Sequence, residues 1–311
     1  MSEPPSSVAL SFVVPVYNEE GNVAPLHAEL TRAATSLGRS YEILFVDDGS
    51  RDATRARLAE IQTRDPHLRV VELDGNFGEA AALSAGFSET RGEVVVTLDG
   101  DGQNDPADVP ALLARLGPDI DVVSGRRRER QEAFVTRVLP SRIANWLIAR
   151  ATGVSVYDCG CGLKAYRREV LRNVQLPRGM NRFLPAILGV APSRVAEVSV
   201  NDRRRGSGQS HYGLSRTLVV LRDLLALPLL VRRPTRGPML GRALGGVQAA
   251  LVLALLVLVL GVLGWPKGRG PVAGTAVIAG VVAGIGWAVA YNVERFVRAQ
   301  AEGVFRIRRS G

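Results

Sequence analysis

Cysteine is almost absent from this 311-residue chain: Cys159 and Cys161 are the whole complement, two apart in the run CGCG. A disulfide between positions so close would be strained, and no cluster of His or further Cys completes a zinc site around them. Both read as reduced, structural thiols of a cytosolic compartment. Histidine is nearly as scarce, and His27, His67 and His211 are too scattered to form a metal site together. Lysine is scarcer still, at 2 residues against 37 arginines. No G-x-G-x-x-G follows the first apolar run, which disfavours a dehydrogenase. A basic n-region is missing as well: the chain opens with Glu3 and two prolines, which argues against a signal peptide. No internal repeat or low-complexity tract is evident.

The formal charge of +9 is unevenly distributed. Residues 1–100 carry 16 acidic side chains against 8 arginines, so the remainder holds a net +17. That excludes a uniformly basic nucleic-acid surface, and no recognition-helix or base-stacking motif occurs. The positive charge gathers instead at Arg126 to Arg150, Arg203 to Arg242 and Arg295 to Arg309. Two of these clusters flank long apolar segments, which points to a membrane surface.

Along the first 125 residues, short apolar runs alternate with amphipathic stretches. Strands are expected at 9–16, 41–46, 68–73, 93–98 and 121–125, with helices near 20–37, 52–64, 78–89 and 106–116. Nearly continuous apolar strands alternating with helices imply a parallel-rich α/β sheet covered on both faces. Ligands of such sheets bind beyond the carboxyl ends of the strands. The polar clusters YNEE, DDGS and DGDGQND each follow a strand directly, so they are expected to converge on one crevice.

Farther on, residues 133–151 place apolar side chains at helical spacing, with arginines on the other faces. They suit either a soluble amphipathic helix or one lying in the bilayer interface, and Trp146 with the arginines favours the interface. Residues 213–238 have the same character as a juxtamembrane helix. Within 239–293, Ala243 to Pro266 and Gly270 to Val293 contain no charged residue. Each exceeds the roughly 20 residues that span a bilayer core, which predicts two transmembrane helices at about 243–265 and 271–292. Arginines on the outer flanks and in the tail 294–311 predict both ends on the cytoplasmic side and the short turn outside.

The acidic run LDGDGQNDP, Leu98 to Pro106, has three readings: a solvated turn, a calcium loop or a catalytic metal site. An EF-hand needs Gly at its sixth position and Glu at its twelfth. Counted from Asp99 these are Asn104 and Pro110, so that reading fails. Two acids flank Gly100, which has no side chain, leaving room for a divalent ion and a diphosphate to approach. Mg²⁺ is typically held by one or two carboxylates plus substrate phosphates.

Context carries the rest. VVPVYNEEGN (13–22), FVDDGSRDAT (45–54), NFGEAAALSAGF (76–87) and TLDGDGQNDP (97–106) occur in the order and spacing of family 2 glycosyltransferases, which the sequence resembles. SGRRRER (124–130), YDCGCGLKAYRREVL (157–171), MNRFLPA (180–186) and VNDRRRGSGQSHYG (200–213) look like the polyprenyl-phosphate branch of that family, which includes dolichol-phosphate mannosyltransferases and bactoprenol glucosyltransferases. The resemblance covers about residues 8 to 235. It implies an α/β GT-A nucleotide-diphospho-sugar transferase fold over 1–212, followed by interfacial helices and a two-helix transmembrane hairpin.

Residue by residue, the resemblance implies that Pro15, Tyr17, Glu19, Asp47 and Asp48 hold the base and ribose of a UDP- or GDP-hexose. Asp99, Gly100 and Asp101 would meet the sugar, the diphosphate and a Mg²⁺ or Mn²⁺ ion, with Asp101 the direct ligand. Gln103 would lie beside the donor diphosphate and the acceptor phosphate. Arg127 and Arg205 would bind phosphate, with Lys164 and Arg203 in a second rank. Asp158 would act as a base or orient the acceptor. Two positions depart from the pattern: Asn181 and Asp202 stand where many relatives have His. The implied reaction is inverting transfer of a sugar to a polyprenyl phosphate on the cytoplasmic face of the inner membrane. Its product would be a lipid-linked sugar for envelope glycan or protein glycosylation. Nucleic acid is not an expected partner; membrane lipids are, and bacterial members can associate as homo-oligomers through their anchors. Other readings are a non-catalytic, membrane-anchored nucleotide-binding scaffold and a processive polysaccharide synthase. The second would need a Gln-x-x-Arg-Trp motif that none of Trp146, Trp265 and Trp287 provides.

Overall fold

The structure is a computed structural model that describes residues 8–128, 156–203 and 303–308, with isolated positions between 284 and 298. The expected helices at 133–151, 213–238 and 243–265 lie outside the described residues, as does Arg205, and only scattered positions of 271–292 fall within them. Among the described residues, no helix is long and apolar enough to cross a membrane. The chain divides into two compact units, Met1–Tyr212 with Gly303–Gly311, and Gly213–Glu302. In the second unit, Trp287 stacks on Tyr291 with ring centroids 5.5 Å apart.

The first unit is built on a seven-stranded mixed sheet. Its strands are β1 (Leu10–Val16), β2 (Tyr41–Asp47), β3 (Leu68–Glu72), β4 (Val94–Thr97), β5 (Val122–Arg127), β6 (Lys164–Arg167) and β7 (Val195–Val200), in the spatial order β3-β2-β1-β4-β6-β5-β7. All neighbours are parallel except β6, which runs antiparallel to both β4 and β5. The helices are α1 (Val23–Ser36), α2 (Thr54–Gln62), α3 (Glu79–Glu89), α4 (Val109–Arg115) and the short α5 (Leu184–Ile187). The five expected strands and four expected helices are present, with ends moved by a few residues. Strands β6 and β7 were not foreseen; the sheet is parallel-rich as expected, and β6 makes it mixed.

The central strands are apolar at nearly every position because both faces are covered. Phe12, Val14 and Val16 of β1, with Ile43 and Phe45 of β2, join the core under α1, α2 and α4; Val13, Leu44 and Val46 join the core under α3. Helix α1 meets its core through Val23, Leu26, Leu30 and Ala34, at the three- and four-residue spacing of one helical face. Helix α3 has a different composition. Ala80 through Phe87 are all buried, and small side chains let this helix lie close on the sheet. Each fully buried Val, Leu, Ile or Phe contributes about 1.5–3 kcal/mol by leaving water. Strand order reverses direction around β1, which pairs with β2 on one side and β4 on the other. Such a reversal is where ligands of α/β sheets bind, beyond the carboxyl ends of β1 and β4.

Candidate active site

Strand β4 delivers the acidic loop to that end of the sheet. Thr97 is buried, and the chain then turns on its own hydrogen bonds: the Asp99 N–H donates to Asn104 Oδ1 at 2.9 Å, and the Gln103 N–H to Asp101 Oδ1 at 3.1 Å. Asp105 leaves the group by capping the next turn, its Oδ1 accepting the Ala107 N–H at 2.9 Å. Gly100 is buried against the Pro15 carbonyl and the Val16 side chain, which seats the loop on the end of β1. Asp101 is 7% exposed. The Asp99 carboxylate lies directly on Gly162, where even a methyl group would overlap its oxygens.

Burial raises the Asp99 carboxyl first, and the neighbouring charges of Glu79 and Asp101 raise it further, to about 8, against the opposing pull of Lys164 and Arg127. Negative charge is thus crowded at this point, and a cation relieves such crowding. Among the described residues, no group of three or more His, Cys, Asp or Glu side chains makes a complete metal cage. Two carboxylates with the remaining positions left to water and phosphate oxygens match the way Mg²⁺ and Mn²⁺ are held in phosphate-handling sites. The donor set fits a divalent ion.

On the β1 and β2 side, two loops are stitched together. Asn18 adopts a left-handed conformation, its N–H donating to Ser50 Oγ at 3.0 Å while its Oδ1 accepts the Arg51 N–H at 2.8 Å. The Glu19 N–H donates to Thr54 Oγ1 at 2.8 Å, and the Glu19 carboxylate accepts from Asn22. Asp47 is fully buried, accepting from the Ser50 N–H at 3.1 Å and from Arg55 at 3.1 Å. Asp48 accepts the Phe77 and Gly78 N–H groups at 2.7 and 2.8 Å; burial nonetheless leaves its carboxyl above the usual range. Both aspartates expected at the base and ribose thus already have protein partners. Tyr17, at 38% exposure, is an open aromatic side chain of this half, and Pro15 lies buried beneath the loop.

The third wall comes from the unforeseen strands. Antiparallel pairing sets Lys164, the first residue of β6, opposite Thr97, the last of β4, so the loop before β6 rests against the acidic centre. Thr97 Oγ1 donates to the Gly162 carbonyl at 2.8 Å. Lys164 is 5% exposed because its ammonium group is inside this loop, donating to the Cys161 and Cys159 carbonyls. Burial pushes both thiols up to about 12, so they are neutral core groups, as the sequence suggested. Asp158 holds Arg127 in a two-point fork, Nε at 2.7 Å and Nη2 at 3.0 Å. Glu197 of β7 fixes that loop by accepting the Tyr157 and Asp158 N–H groups at 2.8 and 3.3 Å.

Gln103 and Arg203 are paired through their backbones, the Arg203 N–H donating to the Gln103 carbonyl at 3.0 Å. The Arg203 guanidinium is engaged by Glu29 at 2.6 Å and Asp105 at 2.5 Å, two carboxylates that hold it as a clamp on the acidic loop. Asp99, Asp101, Asp158, Arg127 and Lys164 are thus brought together electrostatically, from segments up to 65 residues apart. Two participants were missed. Glu79, at the start of α3, acts on Asp99 and accepts from Asn181 Nδ2 at 2.6 Å; Glu197 is the other. The position of Glu79 just after a strand-end loop was the available signal, whereas Glu197 sits in a strand that carries no clear pattern.

The profile of glycosyl transferase family 2 matches residues 11–175. A dodecaprenyl-phosphate galacturonate synthase of Rhizobium johnstonii is 41% identical over 262 residues, 83% of this chain and 78% of that protein. An undecaprenyl-phosphate 4-deoxy-4-formamido-L-arabinose transferase of Pseudomonas aeruginosa is 38% identical over 257 residues, 81% of this chain and 75% of that protein. Among solved structures, mannosyl-3-phosphoglycerate synthase from Rubrobacter xylanophilus aligns with a TM-score of 0.59 at 20% identity, over 70% of this chain and 73% of that one. Glucosyl-3-phosphoglycerate synthase from Mycobacterium tuberculosis, crystallised with Mn²⁺ and UDP-glucose, aligns with a TM-score of 0.56 at 22% identity, over 72% of this chain and 79% of that one. At these identities the two structures speak for the GT-A fold alone. From the profile match and the sequence relatives together, the chain belongs to glycosyl transferase family 2.

Proposed function

We propose that this protein is an inverting glycosyltransferase that moves a sugar from a nucleotide-diphosphate sugar to a polyprenyl phosphate at the cytoplasmic face of a membrane. The observation that carries the reading is the crowding of Asp99 and Asp101 beside the Arg127–Asp158 fork and Lys164. An acidic centre suited to a cation stands next to Arg127, which the Asp158 fork holds in place, and joining two polyanions requires a cation and a phosphate-binding group together. The activities of the two relatives, both on polyprenyl phosphates, suggest the acceptor class.

Asp101 and Asp99 would hold a Mg²⁺ or Mn²⁺ ion, which when bound supplies Lewis-acid stabilisation of the leaving diphosphate. Tyr17, Pro15 and Glu19 would border the base, while Asp47 and Asp48 shape the loops beneath the ribose. Gln103 would lie between the diphosphate and the acceptor. The acceptor phosphate is already ionised near neutrality, its second pKa being about 6, so a strong base is unnecessary. Its oxygen attacks the anomeric carbon as the bond to the nucleotide diphosphate breaks, and the configuration inverts. In this reading Arg127, with Arg205, binds the acceptor phosphate, and Asp158 orients Arg127 rather than taking a proton.

The apolar segments 243–265 and 271–292 would anchor the catalytic unit, with 133–151 and 213–238 at the interface. Support for an even number of crossings comes from residues 303–308, which hydrogen-bond to the strand edge of the catalytic unit. Both ends of the hairpin are then on one side of the membrane. Purified protein given Mn²⁺, undecaprenyl phosphate and a panel of UDP-, GDP- and dTDP-sugars should yield one lipid-linked sugar by mass spectrometry. Asp101→Ala and chelation should each reduce turnover by roughly a hundredfold or more, the scale of losing one preorganised electrostatic contact. Turnover that survives both would overturn the assignment of the acidic centre.

A further inference from the structure

Strand β3 lies at the end of the sheet, where its outer backbone groups would be open to another strand. The chain covers them with its own C-terminal segment. The Asp74 N–H donates to the Arg306 carbonyl and the Arg308 N–H to the Glu72 carbonyl, both at 2.8 Å, around the antiparallel pair Leu73 and Ile307. Phe305 packs on the core under α3, and the Val304 N–H donates to Gln175 Oε1 at 3.3 Å. This short strand comes from the far end of the sequence, immediately after the unit Gly213–Glu302.

What it covers leads straight to the nucleotide half of the site. Glu72 carries the Arg308 guanidinium at 3.7 Å and Arg55 at 3.0 Å, and Arg55 in turn holds Asp47 at 3.1 Å. The Leu73 N–H donates to the Asp47 carbonyl at 2.9 Å. Two residues past Leu73, Gly75 is packed against Gly49 so tightly that a Cβ on Gly49 would stand 2.7 Å from the Gly75 carbonyl carbon. Beyond Asn76, Phe77 and Gly78 give their N–H groups to Asp48.

We infer that residues 303–308 are a positioning strap: by closing the β3 edge they fix the 73–78 loop, and through it the Asp47–Asp48 turn that borders the bound nucleoside diphosphate. The inference deepens the proposed function and rests on it only in naming that ligand.

The test compares the full chain with a chain ending at Glu302, and with Arg308→Pro and Arg308→Gln, all in the same detergent. Amide hydrogen exchange is followed at Phe77 and Gly78, and binding of UDP and GDP is measured with Mn²⁺ present. Truncation and Arg308→Pro, which deletes the donated N–H, should speed exchange at both amides on the order of tenfold, the scale of one or two net hydrogen bonds. Nucleotide affinity should fall by a similar factor. Arg308→Gln keeps the N–H and loses only a long, half-exposed ion pair to Glu72, worth little, so it should behave as the full chain. If truncation unfolds the unit, Arg308→Pro decides. Unchanged exchange at Phe77 and Gly78, or an equal effect of Arg308→Gln, would overturn the strap. Failure of the full chain to bind either nucleotide would instead count against the proposed function, while the exchange data still judge the strap.

Discussion

Gly162 and Asp99 show how little space the site leaves at single residues. The carboxylate rests where a Cβ would have to be, so Gly162→Ala must push Asp99 aside. A displacement near 1 Å costs about a hundredfold in rate at a positioned group. We expect Gly162→Ala to lose turnover on that scale while its circular dichroism and gel-filtration profile stay native. Glu42 poses a different residue-scale question. It is 4% exposed, and burial would raise its carboxyl, yet hydrogen bonds from Ser11, Arg69 and the Arg91 N–H outweigh burial and leave it below the usual range. A carboxyl depressed in the folded state stabilises the protein fully above its unfolded pKa, and that stability is lost as pH falls through its folded pKa. Glu42→Gln should therefore be less stable near neutrality and lose less on acidification, a difference read by thermal melts between neutral and acid pH. Parallel melt-against-pH curves for the two proteins would refute this.

At the scale of elements, β6 decides the architecture of the site. It inserts antiparallel between β4 and β5 and brings its preceding loop over the acidic centre. Four residues, KAYR, are too short for a periodicity signal, and a lysine at a buried position argues against a strand. The lysine is tolerated because it closes its own loop, meeting the Cys159 and Cys161 carbonyls. Lys164→Met should leave those carbonyls unsatisfied and cost about 1–3 kcal/mol, measured by denaturant unfolding of the solubilised protein. A variant as stable as the parent would show that the carbonyls find other partners. The first strands were legible for the opposite reason. Burial on both faces makes β1, β2 and β4 nearly continuous apolar runs, and each is followed by its polar loop. Strand β7 is only partly buried and gives broken alternation, so its Glu197 carried no signal.

At the scale of the molecule, the pairing of residues 303–308 with β3 makes a topological demand on everything between. Gly268→Cys, in the turn between the two apolar segments, should react with a membrane-impermeant maleimide on intact cells, and Ser310→Cys only after lysis. Background is low because the native Cys159 and Cys161 are buried and protonated. Labelling of both positions from outside, or of neither, would contradict the two-helix hairpin.

Composition, the rhythm of apolar runs and the strand-end carboxylates were enough to read an α/β sheet with acidic loops at the carboxyl ends of its strands. These are local properties, since strand burial and loop chemistry are written within a dozen consecutive positions. Which partner each charge meets was decided only by the tertiary structure. Arg203 is held by Glu29 and Asp105, Arg127 by Asp158, and β3 by the end of the chain. Such pairings depend on a strand direction and a chain crossing that bring distant residues within a few ångströms, and no spacing along the sequence encodes them.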